Sequence, residues 1–212
     1  MTSPDREGES QALSGSAREE FTRRNAAREE ALKLCREVIR FSANTIRALH
    51  RREFEDAEAL LAQAREQVGQ AAAWLRDYPE LFHAGFLSDA QKEYAEACAT
   101  RALIQRTPLP TYQELGVELP AYLNGLGEAA GELRRYILDS LRRGESGQCE
   151  ELLDAMDGIY TLLVALDFPD GLTGGLRRTT DMVRGVVERT RGDLTMALLQ
   201  RDLSRRLESG EK

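Results

Sequence analysis

Apolar residues return every three or four positions along nearly the whole sequence, and no stretch shows the period-two alternation of a half-buried strand. A chain written this way can hide its apolar side chains only as packed helices. The clearest stripe is Leu123, Leu126, Ala130, Leu133, Ile137 and Leu141. At about 100° per residue, Glu128, Glu132, Arg135 and Asp139 gather on the opposite side. Glu128 and Glu132 stack one turn apart, where like charges repel modestly. Nothing in helix formation asks for that pair. By spacing alone it is an ordinary solvated face.

The same rhythm predicts the other helices. A long one covers 17–51, with Leu32, Cys35, Ile39, Ser42, Ile46 and Leu49 in a heptad-like row. A second covers 53–77 and stops at Tyr78-Pro79, because the residue before proline is pushed out of the helical region. Trp74 is expected to pack at that corner. A third covers 89–106, with Ser88 as its N-cap. After a loop with at most one helical turn, the stripe already described runs over 121–142. A fifth helix covers 150–166, with Leu152, Leu153, Met156, Ile159, Tyr160, Leu163 and Val164 turned inward. After a turn at 167–171, the last covers 173–207, and its row of Leu176, Thr179, Val183, Val186, Thr190, Leu194 and Ala197 is longer than one small bundle can cover. That length favours self-association. Residues 1–16 are Ser, Gly and charge, and read as a disordered tail. The 212 residues suffice for one core, so 17–212 is expected to be a single helical domain.

The net charge of −7 excludes a general polycation. A nucleic-acid binder of this composition must gather its basic residues on one surface. Arg36 and Arg40, one turn apart on the first helix, are candidates for a phosphate-facing patch, although the spacing also suits flank charges that snorkel. Cys35, Cys98 and Cys149 are too scattered for a zinc cluster or a disulfide framework. Glu80 and His83 have the spacing of a di-iron motif, but no second copy exists, since His50 lacks a glutamate three residues before it. Phosphate loops and nucleophile elbows are absent. With neither a long apolar run nor a signal-peptide core, a soluble, cytoplasmic protein without a membrane partner is expected. Glu93 and Glu96 are neighbours on one helical face, and Glu93 shares a sector with Ala90, Ala97 and Ile104. A carboxylate there needs a partner: Lys92, Arg101 or a metal ion.

Several stretches together resemble the translin family, and within it the translin-associated factor X (Trax) branch. They are 32–39 with 45–51, Glu93-Tyr-Ala-Glu96-Ala, 122–135 around Glu128-Ala-Ala-Gly-Glu132, and the closing heptads. The resemblance covers most of the chain after the tail. It implies an all-α, translin-like bundle of about six to seven helices that assembles into a closed, barrel-like homo-oligomer, an octamer or hexamer. It also implies a Mg²⁺-dependent endoribonuclease, with Mn²⁺ as an alternative ion, that cleaves single-stranded RNA inside the cavity, with single-stranded DNA as a possible competitor. The family's acidic quartet falls on Glu93, Glu96, Glu128 and Glu132. One departure is present: Trax proteins usually carry aspartate where this chain has Glu128.

The residue types suit that chemistry, because Mg²⁺ takes oxygen ligands and keeps several waters. Glu93, Glu96 and Glu128 are the expected ligands, and Glu132 is either an outer ligand or the general base. Arg135 is placed to meet the scissile phosphate, with Arg36 and Arg40 as further nucleic-acid contacts. Two other readings stay open: a translin-like binder of single-stranded RNA or DNA without catalysis, and a helical scaffold whose carboxylates are surface.

Overall fold

Six long helices and three single turns make up residues 6–210, the part described by the computed structural model, and no strand occurs among them. Helix α1 (Arg6–Arg51) and helix α2 (Phe54–Leu75) form an antiparallel pair, followed by the turn α3 (Pro79–Phe82). Helix α4 (Phe86–Ile104) returns against both of them. The turn α5 (Tyr112–Leu115) leads into α6 (Leu119–Arg142), which packs on α4. Helices α7 (Cys149–Val164) and α9 (Leu176–Ser209), joined through the turn α8 (Asp170–Thr173), cover the other side of α6.

The core has two parts that meet at α4 and α6. Leu34, Val38, Leu61, Val68, Leu75 and Leu87 fill the space among α1, α2 and α4. Leu126, Leu133, Ile137, Met156, Leu163 and Val183 fill the space among α6, α7 and α9. Helix α4 is buried almost all round, which is why its sequence shows no clean stripe. Ala90, Ala95, Ala97, Ala99 and Ala102 line it, and such small side chains let neighbouring backbones come close.

The crossing of α4 and α6 is tight at one point. A Cβ on Gly125 would lie 2.4 Å from the Lys92 carbonyl oxygen and 3.0 Å from the Glu96 backbone nitrogen. Two residues on, a Cβ on Gly127 would meet Thr179 and Leu163. The two glycines therefore bring α4 onto one side of α6 and α9 with α7 onto another. Buried Asn124, just before Gly125, donates to the Pro120 and Thr173 carbonyls and accepts from the Thr179 hydroxyl, which locks the start of α9 to α6.

The structure differs from the sequence reading at several places. Helix α1 begins at Arg6, so 6–16 are helical and not a disordered tail; residues 1–5 lie outside the described residues. Trp74 is 52% exposed, since Ala71 and Leu75 take the inward row of α2. Helix α4 starts two residues before Ser88, because Gly85, at φ 98°, turns the chain into the helix. Val164 faces outward beside buried Leu163. Gly174 and Gly175, both left-handed, delay α9 to Leu176. Among the described residues no helix is long and apolar enough to cross a membrane.

Two substitutions on α6 test the crossing. Gly125→Ala should destabilise the protein by about 1–3 kcal/mol, because backbone must move to admit the methyl. Gly131→Ala, where a Cβ meets nothing within 4 Å, should stabilise it by roughly 0.5–1 kcal/mol through helix propensity. Urea denaturation of both variants reads the opposite signs.

Candidate metal centre

Glu93 and Glu96 stand one turn apart on α4, and Glu128 and Glu132 one turn apart on α6. The contact at Gly125 sets how closely the pairs meet. One carboxylate oxygen from each of Glu93, Glu96 and Glu128 lies within 4.8 Å of the other two. Glu96 is the buried member, with 8% of its surface exposed. Its burial, together with the charges of Glu93, Glu128 and Glu132, pushes its carboxyl up to about 8, against a smaller pull from Lys92.

Glu132 faces a different partner. Its Oε2 lies 2.6 Å from Nε2 of His50, at the end of α1. This bond, ahead of the opposing effect of burial, holds the Glu132 carboxyl below the usual range. An ionised Glu132 cannot donate, so His50 Nε2 carries the proton. Arg135 lies 3.9 Å from the same oxygen and is otherwise exposed.

The cluster also contains a cation. Lys92 Nζ donates to Glu128 Oε1 at 2.7 Å and lies 3.5 Å from Glu93. Burial opposes the ammonium, but the bond to Glu128 and the charges of Glu128, Glu93 and Glu96 together raise its pKa. From Lys92 and Glu128 a groove of about 580 Å³ runs past Asp89 and Asn124 to Arg178 at the start of α9.

All four predicted acidic residues therefore converge, as three plus one. Arg135 stands at their edge. Arg36 and Arg40 do not bond to the glutamates: Arg40 pairs with Glu37 and lies over the Phe41 ring, and Arg36 is exposed on α1. Arg101 pairs with Glu58 and leaves Glu93 to Lys92. Glu80, the other half of the rejected di-iron motif, pairs with Arg24. Sequence reasoning missed His50 as a partner of Glu132, 82 residues away, and missed the reach of Lys92 to Glu128. No local spacing signals either contact.

The donor set suits a hard divalent cation. It offers three carboxylate oxygens within reach of one ion, no sulfur and no imidazole nitrogen turned toward them. Their mutual repulsion, expressed in the raised Glu96, is what such an ion would relieve.

No family model matches the sequence. The chain is 31% identical over 173 residues to an uncharacterized protein of Methanocaldococcus jannaschii, spanning 81% of this chain and 76% of that one. Its fold superposes on the crystal structure of AfC3PO with a TM-score of 0.82 and 37% identity, over 88% of this chain and 97% of that one. The same values hold for AfC3PO in complex with duplex RNA. The fold of apo-NeC3PO matches with a TM-score of 0.78 at 20% identity, over 93% of this chain and 99% of that one. AfC3PO and NeC3PO are components of the translin and Trax group, and with the shared fold, the extent of the match and the residues quoted above, the chain belongs to the translin family.

Proposed function

We propose that the protein is a cytoplasmic, Mg²⁺-dependent endoribonuclease of Trax type that acts within a closed homo-oligomer. The observation that carries this reading is the carboxylate arrangement: three oxygens gathered for a cation, and a fourth glutamate ionised beside them. In this reading Glu93, Glu96 and Glu128 hold Mg²⁺, with Mn²⁺ as a substitute. A bound ion of this kind polarises a phosphodiester and acidifies a water. Glu132 accepts the proton of the attacking water. Arg135 meets the scissile phosphate, and Arg178 meets a neighbouring one along the groove. Arg36 and Arg40, exposed on α1, extend the phosphate contacts. A structure of AfC3PO in complex with duplex RNA is known, so both single-stranded and duplex RNA belong in the assay, with single-stranded DNA as competitor.

A second reading has one observation in its favour. Lys92 already supplies positive charge to Glu128 and Glu93, as it would in a binder that needs no metal. Cleavage assays on Glu128 variants separate the two. Glu128→Gln should abolish Mg²⁺-dependent cleavage and leave the oligomer intact. Glu128→Asp should retain cleavage. Asp139→Asn, on the same helix outside the cluster, should cut at the parent rate. Parent-rate cleavage by Glu128→Gln would leave only the binding reading.

The buried acid gives a pH test without RNA. Glu96 titrates near 4.5 when unfolded and near 8 when folded. Between these values the folded state holds the extra proton, so its advantage is greatest at low pH and is lost as pH rises through about 8. The metal-free protein should therefore lose stability across this window, on the order of a few kcal/mol. Glu96→Gln should flatten that slope, as read by denaturation at a series of pH values.

The assembly rests on exposed apolar surface. Met196, Leu199, Leu203 and Leu207 form a row on α9 at spacings of three and four, and each is more than half exposed. Leu199→Asp with Leu203→Asp should lower the mass seen by light scattering from that of an octamer or hexamer. An unchanged mass would move the interface elsewhere.

A further inference from the structure

His50 is buried, with 5% of its side chain exposed, yet only one of its ring nitrogens has a partner. Nε2 meets Glu132, while Nδ1 is buried without a hydrogen bond. The ring lies against Tyr136, 6.3 Å between centroids. Packing alone does not favour this residue. A leucine would fill the same space and leave no polar atom unpaired. What histidine provides here is the single bond to Glu132.

That bond has a consequence for the acidic cluster. Glu132 is near enough for its charge to act on Glu96, yet it lies outside the group formed by Glu93, Glu96 and Glu128. A flexible glutamate one turn from Glu128, next to a divalent cation, would be drawn in as a further oxygen ligand. A glutamate bound to the cation could not take a proton from water. Glu132 is restrained from the α1 side by its bond to the buried His50 ring.

We propose that His50 is a positioning residue that divides the four glutamates, withholding Glu132 from the cation so that it remains free as the base. The proposal rests on the cation site and base assigned above. It differs from an ordinary outer partner of a metal ligand, whose loss typically weakens metal affinity or activity by about 10–100-fold. Loss of His50 should instead strengthen metal binding while it slows cleavage.

The test is Mn²⁺ affinity of the full-length protein, measured without RNA by calorimetry or electron paramagnetic resonance, beside single-turnover RNA cleavage. His50→Leu should bind Mn²⁺ about tenfold tighter, because a further carboxylate joins the ion, and should cleave at least about tenfold more slowly. His50→Gln, whose amide can donate from a similar place, should keep both parent values. His50→Leu combined with Glu132→Gln should return to the affinity of Glu132→Gln alone. Glu132→Gln alone leaves α1 untouched and should cut cleavage while lowering Mn²⁺ affinity only about two- to threefold, the loss of a nearby charge and not of a ligand. Equal or weaker Mn²⁺ binding by His50→Leu, or a loss of about tenfold or more by Glu132→Gln, overturns the proposal and leaves the cation site standing. A parent protein that binds no Mn²⁺ overturns the cation site and this proposal together.

Discussion

The contact between Gly125 and the Lys92 carbonyl is the constraint on which the site depends. Two helices normally keep 8–10 Å between their axes, set by the side chains at the crossing. Here one side contributes no side chain at the closest point, and the other is a helix lined with alanine. Glu93 and Glu96 lie one and four residues after Lys92, and Glu128 lies three after Gly125. The acidic residues are therefore within a turn of the point where the backbones touch. Their convergence follows from the crossing and needs no loop to arrange it.

Bringing acids together at a helix crossing sets a problem of charge. Three responses to it are built into the same few residues. Glu96, the most buried, holds its proton to about 8. Glu128 and Glu93 share the ammonium of Lys92. Glu132 takes a bond from His50 on another helix. The repulsion that would spread four equal carboxylates apart is thus met in three different ways, and the four glutamates are no longer equivalent. The stability lost to such an arrangement is borne by the two apolar clusters on either side of α4 and α6.

Much of this is legible in the sequence because helical periodicity is local. The row Leu123, Leu126, Ala130, Leu133 and Ile137 is buried as its spacing requires, and the opposite face carries the acids. What spacing does not encode is a contact between distant segments. The partnership of His50 and Glu132 depends on how α1 and α6 both pack against α4, and the direction of Lys92 depends on α6 lying beneath it. Helix ends were also less legible than helix cores. Helix α4 starts at Gly85, where a positive φ replaces a capping side chain, so Ser88 was a misleading signal. Residues 6–16 have helical backbone with little apolar content, which no burial pattern could reveal. Trp74 shows the limit of residue type: a large ring stays outside when alanine and leucine fill the inward row.

The departure at Glu128 finds a physical context in Lys92. Where the resembling family usually has aspartate, this chain has one more methylene, and the longer acid reaches Lys92 Nζ while its oxygen stays within the cluster. A lysine on a flexible stem, one-quarter exposed beside an open groove, can give up this place without rearranging a helix. With Glu96 holding its proton and Lys92 beside Glu128, the cluster is less acidic than four free carboxylates, yet it still repels a phosphate and attracts a cation. In a protein of net charge −7, this local field would keep RNA out of the groove until positive charge is added. If the proposed cation and RNA both bind here, each would assist the other, and by linkage the assistance would be equal in both directions. An acidic protein could in this way hold a polyanion at one place, provided that the place is made ready by an ion.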